Sequence, residues 1–506
     1  LVDVIDGMFA FALWDPYKKR LLLARDRMGI KPLYYHDDGR RIVFASSLTA
    51  LLADRSIDRA VSLPALNDYL ALRYVPAPDT AITGVQKLEP GHTLVVSKGG
   101  VEKNQYWDIP LRLLKLSERE ARELVSQQLR RSIESHLMSD VPVAAFLSGG
   151  IDSSIVVGAM VKAGARPKTF SAGFDFDDEF DELRYAKLVA DHWDLENYQV
   201  RVGPVDVINH LPEIVRALEE PIADPAAIPG YFLSRLASEH VKVALTGEGA
   251  DETFAGYKRY QWAARRQGWF RLLSSLGKAP RLIVEAQGFD FYRHRTAVFL
   301  TEPDAEAAYL ENVSLFTRRE RQELSGPDLS CHLQQSPYPE RPAQAFSAAG
   351  DLTLMERLQY TDSKYWLADD LLIKMDKISM AHSLEARVPF LDHRLVDLAW
   401  QVPVSLKYRK ETSKYLLREA GREFLPPEIF DRPKHGFDLP LARWLRGDLG
   451  EFARERIMDS RWYVNGLLRR ATLERHIAEH RAGKKDRSFQ IFALLCWALW
   501  EHEVLG

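Results

Sequence analysis

A chain of 506 residues is too long for one ordinary core and predicts two or three domains. Its 68 basic residues nearly balance 71 acidic ones, and a net charge of -3 gives no field that would favour a nucleic-acid or anionic-membrane partner. The two cysteines, Cys331 and Cys496, exclude a disulfide framework and a cysteine-based metal site; both read as small buried apolar residues, and a reducing, cytoplasmic setting fits.

The chain opens abruptly on Leu1-Val2-Asp3 and runs straight into Met8 to Trp14, which reads as a buried strand. With no methionine and no signal-like stretch in front, the sequence reads as a fragment. Residues 1 to about 110 are strand-rich. Leu21 to Arg25 and Ile42 to Ala45 are strand-like, Asp37-Asp38-Gly39 marks a hairpin, and Lys98-Gly99-Gly100 marks a second after Thr93 to Val96.

The character then changes. Ser117 with Glu120 forms a capping box, and Ala121, Leu124, Val125, Leu129, Ile133 and Leu137 follow at helical spacing. Strands are predicted at Val143 to Leu147, Thr169 to Gly173, Tyr198 to Val202 and Val241 to Leu245. Helices are predicted between them at Ser153 to Lys162, Glu182 to His192 and Asp206 to Leu218. That alternation predicts a parallel sheet wrapped by helices. Beyond about residue 255 helical patterns dominate without a clear strand. The apolar run Ile491 to Trp500 is too short to span a bilayer and reads as a buried helix.

Two loops carry chemistry. Leu147-Ser148-Gly149-Gly150-Ile151-Asp152-Ser153-Ser154 follows a strand and opens a helix, so glycines, helix N–H groups and three hydroxyls suit a bound phosphate. Asp152 in such a loop implies an intervening Mg²⁺, and the missing Walker lysine argues against γ-phosphoryl transfer. Thr246-Gly247-Glu248-Gly249-Ala250-Asp251-Glu252 follows another strand. Three acids at a strand's C-terminal end, where ligands of parallel sheets bind, suit a nucleotide–Mg²⁺ site or a solvated loop.

With Arg25 to Tyr34, Glu385 to Asp392 and Lys414 to Glu419, these stretches resemble the glutamine-hydrolysing asparagine synthetase family over essentially the whole chain. The resemblance implies an α/β fold: a C-terminal ATP-pyrophosphatase sheet (adenine nucleotide alpha hydrolase-like) over 117–506. Residues 1–110 would be the back part of an αββα N-terminal-nucleophile glutaminase domain. It further implies a carboxylate, aspartate first, attacking the α-phosphorus of ATP, then amide formation by ammonia or by nitrogen from glutamine. Leu147, Ser148, Gly149, Gly150, Asp152, Ser153, Ser154, Ala172, Thr246 and Gly247 would bind ATP, and Asp152 and Asp251 would hold Mg²⁺. Glu248, Lys414 and Tyr257 would be catalytic. His136, His382 and His435 are expected to pack or cap.

Two departures stand out. The family's nucleophile is an N-terminal cysteine, and no cysteine precedes Cys331. The stretch Glu219 to Pro229 has no arginine where well-known members have one, which leaves open another carboxylate, such as a sugar acid of surface polysaccharide. A sulfurtransferase would call for a basic face and paired reactive cysteines, and a mere binding module would dispense with Asp152, Glu248 or Asp251. Neither nucleic acid nor membrane is an expected partner, and a homodimer is left open.

Overall fold

The computed structural model describes residues 1–175, 182–274, 299, 302–409, 411–430 and 439–506. Seven strands come first: β1 (Ala10–Asp15), β2 (Arg20–Arg25), β3 (Tyr34–Asp37), β4 (Ile42–Ala45), β5 (Val85–Lys87), β6 (His92–Ser97) and β7 (Gly100–Gln105). They make two antiparallel sheets, in the orders β1-β2-β6-β7 and β4-β3-β5. Both predicted hairpins form, with Tyr35 opposite Phe44 in one and Val96 opposite Val101 in the other. The buried faces meet at Leu23, Leu33, Tyr35, Leu88 and Leu94.

Two readings of this region need correction. β1 is not a buried strand: Leu13 and Trp14 are 49% and 57% exposed, because β1 is an edge strand paired only with β2. The strand-rich reading also passed over a helix at Leu63–Leu72, capped by the Ser62 side chain, which accepts the Ala65 N–H. Seven of its ten residues are buried, so its sequence shows only a narrow polar stripe to betray the helical period.

Arg25 and Asp26 form a corner built from buried charge. The guanidinium donates to the carbonyls of Lys31, Leu88 and Gly29 at 2.8–2.9 Å, and Asp26 accepts the N–H groups of Phe9, Met28, Ile30 and Lys31. Every formal charge is thereby spread over backbone dipoles, the condition for burying it. Lys31 itself reaches Asp376 at 2.7 Å.

The second half is a five-stranded sheet: β8 (Val143–Phe146), β9 (Thr169–Phe174), β10 (Asn197–Val202), β11 (Val243–Leu245) and β12 (Glu385–Arg387), ordered β10-β9-β8-β11-β12. Every pairing is parallel. The predicted alternation holds, with helices at Glu118–His136, Ile151–Lys162, Leu183–His192 and Pro204–Leu218, and a further one at Ala227–Ser238. The Ser117 capping box is present. β12 corrects the expectation that no strand follows residue 255; at three residues it is too short to show a period of two. The chain order runs outward one way from β8 and the other way from β11, so the sheet reverses between them. A crevice at the strand ends is expected there.

The C-terminal helix Ser488–Trp500 is buried as predicted and packs Trp497 between Tyr69 and Trp462, at ring distances of 4.9 and 5.4 Å. Among the described residues no helix is long and apolar enough to cross a membrane. Cys496 lies buried in this helix, but Cys331 is exposed: it sits on helix Pro327–Gln335, whose buried residues are Leu329 and Leu333, on another face.

Candidate active site

β8 and β11 are neighbours in register, Val143 to Val243 and Ala145 to Leu245, so the loops that leave their C-terminal ends face each other. The first loop turns through Gly149 at φ +70°, a conformation that only glycine adopts cheaply; a Cβ there would also come within 2.5 Å of the Ala186 nitrogen. Helix Ile151–Lys162 begins at once, with Gly150 as its cap and no side chain covering its first N–H groups. The hydroxyls organise the turn. Ser153 Oγ accepts the Ser148 N–H at 3.2 Å and lies 3.1 Å from Ser148 Oγ, and Ser148 Oγ accepts the Gly150 N–H at 3.3 Å. Ser154 Oγ is buried without a hydrogen-bond partner among the described residues. Leu147 is buried at the strand end, its carbonyl taken by Ser171 Oγ at 2.6 Å, and Ala172 is buried beside it on β9.

The second loop presses against the first: a Cβ on Gly247 would lie 3.0 Å from the Ser153 nitrogen. Thr246 Oγ1 accepts the Glu248 N–H at 3.2 Å. Lys414 closes the arrangement from a distant part of the chain. It stands at the left-handed cap of helix Tyr415–Ala420, 4% exposed, and its Nζ lies 2.5 Å from Asp152 and 2.9 Å from Asp251. Burial works against its charge, yet the two carboxylates and their hydrogen bonds hold its pKa above the ordinary lysine value. A solvated helix lysine would show none of this. The counter-charge beside the Asp152 carboxylate is therefore a lysine.

The donor set also suits a magnesium ion brought by a nucleotide. Asp152 Oδ1 is buried without a partner among the described residues, and two carboxylates from facing loops, with phosphate oxygens completing the shell, are what Mg²⁺ ordinarily takes. Among the described residues no cluster of three or more acidic, His or Cys side chains could hold a metal alone.

The remaining expected residues divide. Glu248 stays close to the two loops: burial pushes its carboxyl up, Lys374 works the other way, and Asp224, Asp251 and Asp152 add to the rise. Tyr257 is held by Glu252, with the Asp251 charge also acting on it. Its hydroxyl donates to Glu252 Oε1 at 2.5 Å and accepts from Trp366 Nε1 at 3.2 Å, and burial pushes the Glu252 carboxyl up to about 7. Of the three loop acids, Glu252 is thus buried structure and not a solvated charge. His136 bonds the Ser132 carbonyl at 2.8 Å, His382 lies edge-on to Tyr231, and His435 falls outside the described residues.

Sequence reasoning missed a second charged group of residues. Lys374, buried, pairs with Asp224 at 2.6 Å, and Arg73 Nε lies 3.8 Å from Asp370. Asp224 belongs to the stretch that lacks the arginine, so a lysine from helix Ile373–Ala381 supplies the cation there. Only the pairing of Asp369 with Asp370 inside an apolar run hinted at it.

Facing serine–glycine and acidic loops at the switch point of a parallel sheet, bridged by a buried lysine, mark an α/β domain of the ATP-pyrophosphatase class. The sequence pattern of the asparagine synthase family matches residues 124–502, and that of the glutamine amidotransferase domain matches residues 1–107. The chain is 34% identical over 498 residues to asparagine synthetase (glutamine-hydrolyzing) 1 of Bacillus subtilis, covering 98% of this chain and 77% of that protein. It is 29% identical over 449 residues to asparagine synthetase (glutamine-hydrolyzing) 3 of the same organism, covering 86% and 67%. It is 27% identical over 496 residues to amidase chry2 of Gibberella zeae, covering 88% and 72%. The chain belongs to the asparagine synthase family, a family of ATP-using carbon–nitrogen ligases.

Proposed function

We propose that this enzyme activates a carboxylate, aspartate in the leading reading, as an acyl-adenylate and converts it to the amide, releasing pyrophosphate and AMP. The observation that carries the reading is the Lys414 bridge between Asp152 and Asp251, one carboxylate from each facing loop. A free carboxylate is a poor electrophile, so the site must neutralise the departing pyrophosphate and hold two anions side by side. Ser148, Ser153, Ser154 and the N–H groups that open helix Ile151–Lys162 are suited to the pyrophosphate. Asp152 and Asp251 would hold Mg²⁺, which when bound would offset phosphate charge. Lys414 would then be released to face negative charge developing on the nucleotide. Leu147, Ala172, Thr246 and Gly247 would line the nucleotide's seat. Glu248, poised by burial and by Lys374, would orient the amine at the acyl carbon. Tyr257 would act through Glu252, which it hydrogen-bonds.

In the family the nitrogen is expected from glutamine. Cys331 is exposed on helix Pro327–Gln335 and burial pushes the Cys496 thiol up, so neither thiol suits that step, and these 506 residues by themselves would draw nitrogen from ammonia. A second reading of the substrate is favoured by the stretch Glu219 to Pro229, which holds no arginine of its own and whose Asp224 pairs with Lys374.

The test is Mg²⁺-dependent ATP–pyrophosphate exchange with aspartate or sugar acids, followed by amide formation with ammonium or with glutamine. Exchange with aspartate and amide from ammonium is the expected result, with Asp152→Asn losing both. Exchange with a sugar acid alone would favour the second reading. Glutamate released from glutamine would overturn the nitrogen assignment, and exchange independent of every carboxylate would overturn the whole proposal.

A further inference from the structure

Asp370 is fully buried, yet neither oxygen of its carboxylate has a hydrogen-bond partner among the described residues. It lies on a π-helical stretch, Asp362–Leu372, eleven residues long. Such helices are rare and concentrate at functional sites, because the wider turn re-aims side chains. The groups that face it are Asp224, Glu248, Lys374 and Arg73, with the phenols of Tyr69 and Tyr74 behind. Lys374 is committed to Asp224 at 2.6 Å, and Arg73, which stacks over Trp366 at 4.3 Å, stands off from Asp370 at 3.8 Å. Ionised together, Asp370, Asp224 and Glu248 would outnumber Lys374 and Arg73 by one charge, a surplus that burial relieves by pushing the Asp370 carboxyl up. A buried carboxylate without a hydrogen bond is costly, and a small cation that donates hydrogen bonds removes the cost.

We propose that Asp370 receives the nitrogen nucleophile: it binds an ammonium ion beside Glu248 and takes its proton, releasing the neutral ammonia that attacks the acyl carbon. The inference rests on the amide-forming reading above. Ammonium gives one proton to the Asp370 carboxylate and leaves ammonia with a free electron pair. That pair forms the C–N bond, the acyl C–O bond breaks, and AMP departs with its electrons. A second proton leaves the new amide nitrogen to solvent. Burial first, and then Asp224, push the Asp370 carboxyl up to about 8 against Lys374 and Arg73, with Glu248 adding to the rise. That strength suits exchange of a proton with ammonium, since transfer is efficient between groups of similar pKa.

The same ammonium chemistry could come from the α-amino group of an amino-acid substrate, and the assays separate the two. Asp370→Asn is compared with wild type in carboxylate-dependent ATP–pyrophosphate exchange without nitrogen, and in amide formation over ammonium concentration at two pH values. The expected result is exchange within about twofold of wild type, an ammonium KM raised about tenfold at pH 7, and convergence with wild type at about pH 9, where ammonia needs no base. Asp370→Glu should recover most of the pH 7 activity. An unchanged ammonium KM at pH 7 would overturn the proposal. So would a raised KM for the carboxylate in exchange, which would give Asp370 to the substrate's own ammonium. Loss of exchange in both variants, with melting as in wild type, would make Asp370 part of adenylation and also overturn it. If wild type shows no exchange, the amide-forming reading fails first.

Discussion

Lys414 shows how one side chain can set the state of a site. Removing it as Lys414→Met leaves Asp152 and Asp251 facing each other with no cation between them. Both carboxylates are partly exposed, so the loss of stability should be modest, about 1–2 kcal/mol. Mg²⁺ should then raise the melting temperature of the variant more than that of wild type, while amide formation falls about a hundredfold. An equal Mg²⁺ response in both proteins would deny that lysine and metal share the carboxylates. A second lysine makes a prediction of opposite character. Lys407 is buried over the face of Trp400 at 5.0 Å, and burial pulls its pKa down to about 7, with Glu356 opposing. Below that value the folded state must hold a charged amine in an apolar place. Between about pH 7 and 10 the unfolded chain binds more protons than the folded one, so stability rises with pH over that window. Lys407→Met should therefore stabilise by about 2 kcal/mol at pH 6–7, with the gain fading towards about pH 10. Denaturant melts of the two proteins across that range check the sign.

Among the elements, the short connection after the acidic loop is the most constrained. A Cβ on Gly256 would lie 1.8 Å from Asp251 Oδ1 and 2.2 Å from Lys414 Cε. Gly256→Ala should displace both groups, costing about 1–3 kcal/mol and at least tenfold in nucleotide-dependent activity; wild-type exchange kinetics in the variant would show that the Lys414 bridge is dispensable. The elements also show how far the sequence could be read. Alternating apolar runs and capping residues made the strands and helices from Ser117 to Leu218 and the strand ending at Leu245 legible, though not helix Ala227–Ser238, and the two glycine loops announced themselves by composition. Helix Leu63–Leu72 and strand β12 did not, the first because seven of its ten residues are buried, the second because three residues carry no period. The π-helical stretch was equally hidden, since nothing in Asp362–Leu372 distinguishes a wider turn from an α-helix.

Across the whole molecule, buried ion pairs tie the antiparallel sheets to the synthetase half. Lys87 lies 3.1 Å from Glu220 and 3.5 Å from Asp369, and donates to the Val75 carbonyl at 2.5 Å, while Tyr34 donates to Glu220 at 2.7 Å. Lys377 pairs with Glu219 at 2.7 Å, and Trp500 donates to the Glu219 carbonyl. The stretch that lacks the expected arginine is therefore also a structural junction. Lys87→Met would strand two buried carboxylates, and about 3–5 kcal/mol should be lost. Because the groups come from both halves, wild type should unfold in one calorimetric transition and the variant in two. A single transition with unchanged midpoint would mean that the pairs are replaceable by apolar contact.

The sequence by itself determined the family, the parallel α/β rhythm and the two loops that make the crevice, because each is written in contiguous residues whose spacing or chemistry is local. Tertiary structure alone decided the partners. Asp152 and Lys414 are 262 positions apart, Asp224 and Lys374 150, and Lys31 and Asp376 345. No local pattern marks such pairs, and they exist because the sheet order brings β8 beside β11 and the later helices back over both. The same closure turned Tyr257 towards Glu252 and left Asp370 buried without a hydrogen bond among the described residues, since burial is a property of the packed whole and not of the segment.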